Sequence, residues 1–318
     1  MYKYFLQYRM LNITFRQLRA LLAIVKTGKI SHAARQLGLT SPAVTLQLQQ
    51  LEAELGVQLF IRGKQGVRPT EIGEVVINHA RTVLSDLDGL EQSLISHGGL
   101  EAGTIKLGVV STGKYFAPKI IAAFTRRHPG LNVMLFAANR SEIIERLKNH
   151  DVDVALMGRP PTGFDVHATM IGDHPHVFIA SPEHELAGRL DIEREQLAEC
   201  KFVVREPGSG TRSMFELFMS EVPGGLRLPP VEMDSNETIK QAVMAGLGIA
   251  FISGHTIEQE SQTGRIAILD VVDTPIRRHW YLIRNASRTA TPAIDALGEF
   301  LMEKGLSLMP IVAKTYRS

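Results

Sequence analysis

Ser31-His-Ala-Ala-Arg-Gln-Leu-Gly-Leu-Thr-Ser-Pro-Ala-Val-Thr-Leu-Gln-Leu-Gln-Gln-Leu-Glu-Ala-Glu-Leu55 is the stretch from which the organisation of the chain unfolds. It reads as two short helices joined by a tight turn. Ser31 is placed to cap the first helix, and Gly38 suits the left-handed residue that ends it. Ser41 is expected at the N-cap of the second helix, with Pro42 at the first helical position. Val44, Leu48, Leu51 and Leu55 recur at helical period and form one apolar face. Thr45, Leu46 and Gln49 lie on the other side, where Leu46 is out of place on a solvated helix. In a DNA major groove it is not, because thymine methyls offer apolar contacts and glutamine can read base edges. The pair therefore reads as a helix-turn-helix whose second helix is the reader. The alternative is an ordinary helical hairpin.

The flanking sequence adds to this. Phe15-Arg-Gln-Leu-Arg19 precedes the motif; Glu54-Leu-Gly-Val-Gln-Leu-Phe60-Ile-Arg62 and Val67-Arg-Pro-Thr-Glu-Ile-Gly73 follow it. The block resembles the N-terminal winged helix-turn-helix of LysR-type transcriptional regulators. The resemblance runs through nearly the whole chain, and it implies a ligand-sensing domain behind the DNA-binding head. One position departs: many members carry Arg or Lys where this chain has Leu46.

Charge distribution agrees. The net charge of the 318 residues is only +2, but residues 1–70 hold ten Lys/Arg against two Asp/Glu, while residues 71–318 hold 25 against 31. A basic head on an acidic body is the footprint of a nucleic-acid-binding module carried on something else. One cysteine, Cys200, excludes an internal disulfide and a multi-cysteine zinc site and fits a reducing cytoplasm. No stretch approaches the ~20 apolar residues of a membrane span. Residues 1–9 read as a possible N-terminal extension.

Thr14 to Lys26 reads as a first helix with Phe15, Leu18, Leu22 and Val25 inward. Gln58–Arg62 and Gly66–Arg68 read as a two-stranded wing, where Arg62, Lys64 and Arg68 are candidates for phosphate contacts. Thr70 to Ser96 reads as a long helix. Val76, Ala80, Val83, Leu87, Leu90 and Leu94 follow the alternating four-and-three spacing of a heptad seam, which favours pairing with a second copy over packing on its own domain. Gly98 to Gly103 is a hinge-like boundary. The expected domains are 1–70 (winged helix-turn-helix), 71–97 (linker dimerisation helix) and 103–318 (effector domain).

Beyond residue 103 strands and helices alternate, so a largely parallel α/β sheet is expected. The pattern resembles the two-lobed periplasmic-binding-protein fold. Lobe one would be 103–161 plus 271–318 and lobe two 162–270, with chain crossings near Pro160 and Val271. Val204-Arg-Glu-Pro-Gly-Ser-Gly-Thr-Arg212 leaves a strand and enters a helix. Ser209, Gly210, Thr211 and Arg212 there offer hydroxyls, free N–H groups and a guanidinium to an anion. Ser111, Thr112 and Lys114 occupy a matching loop of lobe one; Asn139, Arg140 and Arg159 follow the next strands. Ligands of open α/β sheets bind outside such strand ends. Ser209 has no base arranged with it, and no histidine or carboxylate spacing suggests a metal, so neither catalysis nor a metal site is expected.

Ser111-Thr-Gly-Lys-Tyr-Phe116, Asn139-Arg140, Met157-Gly-Arg-Pro-Pro161 and the Arg205–Arg212 loop narrow the resemblance to regulators of Calvin-cycle (RuBisCO) operons. That resemblance implies operator DNA as partner, with RNA polymerase, a homodimer through the linker helix and a homotetramer beyond it. It also implies no cofactor, but an effector that is a phosphorylated metabolite or NADPH. The alternatives are a LysR-type regulator of another pathway, such as sulfur oxyanion metabolism, and a ligand-binding module whose head docks a protein.

Overall fold

The computed structural model describes residues 11–63, 66–97 and 102–310. Lys64, residues 1–9 and most of the 98–103 boundary lie outside the described residues. Two compact units emerge, Met1–Glu91 and Gln92–Ser318.

The first unit contains α1 (Phe15–Thr27), α2 (Ile30–Leu37), α3 (Ser41–Leu55), β1 (Phe60–Gly63), β2 (Gly66–Pro69) and most of α4 (Glu71–His97). Thr14 and Gln17 close a capping box at the start of α1. α2 begins at Ile30, one residue before the expected cap Ser31. Lys29, at the N-cap position, contributes no side-chain bond; its carbonyl instead accepts from the amides of His32 and Ala33. Gly28 ends α1 in the left-handed region at φ 68°, so the next helix starts at the first opportunity. Gly38 ends α2 the same way, at φ 65°. The cap of α3 is Thr40 rather than Ser41, its hydroxyl accepting from the Ala43 amide at 3.4 Å. That bond draws Ser41 into the helix against the pre-proline bias.

Leu21, Ile24, Ala33, Val44, Leu51, Leu59 and Ile77 lie at the centre of the head's core. The buried face of α1 carries Leu18, Leu21 and Ile24, while Phe15 is 47% exposed and Leu22 and Val25 are half-buried. The expected stripe was therefore off in phase, because Ala20 and Ala23 lie on the face that packs against α2 and α3. Gly66, at φ 124°, holds the wing against the end of α1. Val67 donates to the Gly28 carbonyl at 3.2 Å, and a Cβ on Gly66 would lie 2.4 Å from that oxygen. The long helix begins in the same core, with Ile77 and Ala80 buried. Farther along, Val83, Leu90 and Leu94 are exposed at 43%, 54% and 65%.

The second unit starts with β3 (Gly103–Val110), α5 (Ala117–Arg127), β4 (Leu131–Ala138), α6 (Arg140–Lys148) and β5 (Val154–Met157). It continues through β6 (Val166–Ala180), α7 (Arg194–Ala198), β7 (Val203–Arg205), α8 (Gly210–Met219), β8 (Val231–Met233) and α9 (Asn236–Met244). It closes with β9 (Ala250–Ser253), α10 (Glu258–Gln262), β10 (Ala267–Leu269), β11 (Ile276–Asn285) and α11 (Pro292–Leu308). One sheet runs β10-β6-β11-β5-β3-β4, with β9 also on β6. β3 lies parallel to β4 and β5, whereas β6 pairs antiparallel with β11, β9 and β10. The sheet is thus mixed, not largely parallel.

The reason is that β6 and β11 serve both lobes. They pair from Val166 against Asn285 to His176 against Ile276. Ile171 and Trp280 belong to the core of lobe one, formed around Leu107, Phe116, Ile120 and Leu156. Phe178 belongs to the core of lobe two with Phe202, Phe215 and Phe251, and Ile276 packs against it. The chain therefore crosses between lobes inside two continuous strands, near residues 172–176 and 277–279, instead of near Pro160 and Val271.

Candidate functional site

On α3 the buried residues are Val44, Leu48 and Leu51, leaving the other side to solvent. Ser41, Pro42, Leu46, Gln49 and Gln50 are exposed there, and Thr45 is half-buried with its hydroxyl donating to the Ser41 carbonyl at 2.9 Å. Arg68 is exposed on β2, and Arg62 lies on β1 opposite Val67, its side chain outside the described residues. Arg16, Arg19, Lys26 and Arg35 are exposed on the first two helices, and Lys29 is exposed between them.

The second unit holds a cavity of about 500 Å³ at the strand ends where its lobes meet. Ser111 and Thr112 line it from the turn after β3, Arg140 from the start of α6, and Arg159 from the turn after β5. Ser209, Gly210 and Thr211 line it from the N-terminus of α8, where Ser209 also accepts from the Arg212 amide as the helix cap. A helix start with free N–H groups, a partial positive charge and two hydroxyls suits an anion. Gly210 allows close approach of the lobes: a Cβ there would lie 3.2 Å from Cδ of Arg140.

Three of the expected residues sit elsewhere. Asn139 caps α6 by accepting from the Glu142 amide at 3.0 Å. Lys114 lies over the Tyr115 ring, 5.3 Å from its centroid. Arg212 is turned away from the cavity and engaged by Glu216, by the Arg205 carbonyl at 2.8 Å and by Glu232 at 3.4 Å. Its guanidinium stabilises the loop from behind instead of facing a ligand.

The lining residues that were not foreseen include Arg277, Arg278, His174 and His176. Arg277 and Arg278 come from β11, whose first residues carry no apolar alternation that would have marked a strand. Among the described residues, no carboxylate lies within 4.0 Å of Arg140, Arg159, Arg277 or Arg278. Arg140 instead donates to the Arg159 carbonyl at 2.6 Å and the Pro160 carbonyl at 3.3 Å. Burial, and then the charge of Arg159, push its pKa below the usual guanidinium range. Among the described residues no Asp or Glu lines the cavity, and Asp173, 3.4 Å from the lining His279, is the carboxylate at its edge.

Where the lobes meet beside the cavity, Arg205 is buried and donates to Ser111 at 3.1 Å, to Asn236 at 2.6 Å and to Glu206. Ser111 is therefore tied to lobe two already. Tyr115 donates to Glu237 at 2.6 Å across the same divide, and Lys240 joins Glu237 to Glu260. Burial alone would raise the Glu237 carboxyl; the Tyr115 hydroxyl and Lys240 outweigh it and hold it below the usual carboxylate range. Behind the cavity, His174 stacks on Trp280 with ring centroids 4.0 Å apart and bonds Ser253 at 2.9 Å. The Trp280 indole donates to His255 at 3.1 Å. Burial lowers all three histidines, His176 to about 3 and His255 to about 4.

A family model described as bacterial regulatory helix-turn-helix protein, lysR family, matches residues 15–74, and that of the LysR substrate binding domain matches residues 98–305. The chain belongs to the LysR family. As a LysR-type transcriptional regulator it is 52% identical over 307 residues to the HTH-type transcriptional regulator CbbR of Rhizobium meliloti (strain 1021), covering 96% of this chain and 98% of the relative. It is 41% identical over 295 residues to the RuBisCO operon transcriptional regulator of Allochromatium vinosum, covering 92% and 97%. Among solved structures, the Synechocystis PCC6803 CcmR regulatory domain in complex with 2-PG aligns with a TM-score of 0.61 and 33% identity. That alignment covers 63% of this chain and 96% of the CcmR domain. These relatives are regulators and not enzymes. Among the described residues no helix of this LysR-type chain is long and apolar enough to cross a membrane.

Proposed function

We propose that this LysR-family regulator controls carbon-fixation genes, binding operator DNA through α3 and the wing and responding to an anionic metabolite held in the lobe cavity. The observation that carries the effector half is the set of four arginines around one cavity, none of which has a carboxylate within 4.0 Å among the described residues. Arg140 is half-buried and the other three are exposed, so what the cluster carries is the mutual repulsion of like charges converging on one cavity, which a dianionic ligand relieves. Ser111, Thr112, Arg140, Arg159, Ser209, Gly210 and Thr211 are the residues proposed to hold it, joined by Arg277 and Arg278. A phosphorylated metabolite fits this chemistry; NADPH, which also carries phosphates, is the larger candidate. The 2-PG bound by the Synechocystis relative and the RuBisCO operon named for the Allochromatium relative support the carbon-fixation reading.

For the head, Thr45, Leu46 and Gln49 face bases while Arg62, Lys64 and Arg68 face phosphates. Homodimerisation runs through the second half of α4, whose Val83, Leu90 and Leu94 are exposed in the single chain. Pairing of dimers into a tetramer, contact with RNA polymerase at the promoter and a cytoplasmic location complete the proposal. Two measurements test it. Duplex affinity should fall steeply with salt, because Lys and Arg release counterions from phosphates. A thermal-shift screen should place 2-phosphoglycolate, phosphoenolpyruvate, ribulose bisphosphate or NADPH above sulfate; stabilisation by sulfur oxyanions alone would move the protein to another branch of the family.

A further inference from the structure

We infer that α3 reads its half-site through the 5-methyl groups of thymine, with Leu46 as the main contact, and without any guanine-reading cation. The inference rests on the DNA-facing assignment of α3 and gives that face its chemistry. No Lys or Arg occurs between Arg35 and Arg62, so the whole recognition helix is without a cation. The commonest specific contact to guanine, a bidentate Arg or Lys on O6 and N7, is unavailable from this helix.

What the helix presents instead is apolar or neutral. Leu46 is 51% exposed and lies opposite the buried Val44, Leu48 and Leu51. Pro42 is exposed and has no amide hydrogen to donate. Thr45 has its hydroxyl hydrogen committed to the Ser41 carbonyl, which leaves its methyl and a lone pair for a neighbour. Gln49 and Gln50 remain as polar readers, and Gln suits the N6 and N7 of adenine. A single exposed leucine is ordinary on a protein surface. Here it stands at the centre of the exposed face of a helix whose own unit also exposes Arg16, Arg19, Lys26, Lys29, Arg35 and Arg68, a positive charge that complements a phosphate backbone. Among the major-groove groups the thymine methyl is the apolar one, so an A·T pair is what such a face distinguishes.

The test uses the full-length protein and the duplex it enriches from a randomised pool. Each thymine of that duplex is replaced singly by deoxyuridine, which removes only the methyl, and affinity is measured for wild type and Leu46→Ala. Wild type should lose roughly three- to tenfold at one or two thymines per half-site, the scale of one buried methyl with its packing. Leu46→Ala should bind the parent duplex less tightly and be indifferent to deoxyuridine at those same positions. Selection with Leu46→Arg should move the preferred base there from thymine to guanine. The inference is overturned if no thymine is sensitive, or if wild type and Leu46→Ala lose equally at every position. Unchanged duplex affinity of Leu46→Ala together with weakened self-association would assign Leu46 to a protein contact. A wild-type protein that enriches no duplex would remove the parent reading too, and that result appears before any variant is made.

Discussion

Replacing Arg140 by Met keeps most of the side-chain length and removes one charge from the cavity. In the unliganded protein that charge is held against burial and against Arg159, and its partners are the carbonyls of Arg159 and Pro160 and the Met157 sulfur. Losing those bonds costs stability, while losing the repulsion returns some of it, so the unliganded melting temperature should move by only a few degrees. The liganded protein behaves differently. A guanidinium about 4 Å from an anionic oxygen contributes ~4 kcal/mol at an effective dielectric of ~20. Truncating one partner of a hydrogen-bonded charge pair typically costs about 2–5 kcal/mol. Arg140 is half-buried and three arginines remain, so the lower end applies: ~2 kcal/mol, or roughly 30-fold in affinity. Calorimetric titration of 2-phosphoglycolate into wild type and Arg140→Met measures this, with Arg212→Met as the contrast, since that guanidinium is already engaged by Glu216 and Glu232. Equal affinities for wild type and Arg140→Met, or a larger loss in Arg212→Met, would refute the placement of the ligand.

Leu90→Glu should dissociate the homodimer in sedimentation and weaken operator binding with it, because Leu90 is 54% exposed in the single chain and the substitution leaves the head's core intact; an unchanged oligomer would remove α4 as the interface. Gly66→Ala should lower the melting temperature of the head and weaken DNA binding, since its Cβ meets the Gly28 carbonyl at 2.4 Å and its φ is 124°; a variant as stable as wild type would show that the wing is not pinned there. Acid should destabilise the second unit. His176 and His255 titrate near 3 and 4 when folded but near 6.5 when unfolded, so the unfolded chain binds more protons between these values. Their stabilising contribution is present above pH ~6.5 and is lost as pH falls to about 4 for His255 and about 3 for His176, at up to about 1.4 kcal/mol per pH unit for each group. Melts of His176→Phe should show a shallower pH dependence, and an identical slope would place the acid response elsewhere.

The head was legible in the sequence because its cues are local: Gly38 as a helix stop, Val44-Leu48-Leu51 as a buried stripe, and a basic tally confined to residues 1–70. Its errors were errors of phase and of one residue at caps, where a backbone carbonyl at Lys29 or the Thr40 hydroxyl outcompeted the nearest serine. The cavity was half legible. Ser111, Thr112, Arg140, Arg159 and the Ser209–Thr211 turn stand at strand ends and helix starts, which sequence pattern can locate. Arg277 and Arg278 were not, because the strand that brings them is continuous across both lobes and antiparallel to β6, a long-range pairing with little periodic trace. In β6 itself His167, Ala168, Thr169 and Met170 are all exposed, so no alternation announced its first half. Arg212 shows the converse limit: its position in a glycine-rich turn suggests an anion contact, but Glu216 one helical turn on and Glu232 on the neighbouring strand claim it first.

The most direct test joins the two sites in one measurement. Full-length wild type and Arg140→Met are titrated onto the promoter duplex of the RuBisCO genes from the same genome, with and without 2-phosphoglycolate, and the binding midpoint and footprint are followed. Both proteins should bind the duplex with the same salt-sensitive affinity in the absence of metabolite. The metabolite should shift the midpoint or footprint of wild type and leave Arg140→Met unchanged until roughly 30-fold higher concentrations. An equal shift in both proteins, or none in wild type with any of the phosphorylated metabolites, would contradict an arginine-lined cavity that couples an anion to operator binding.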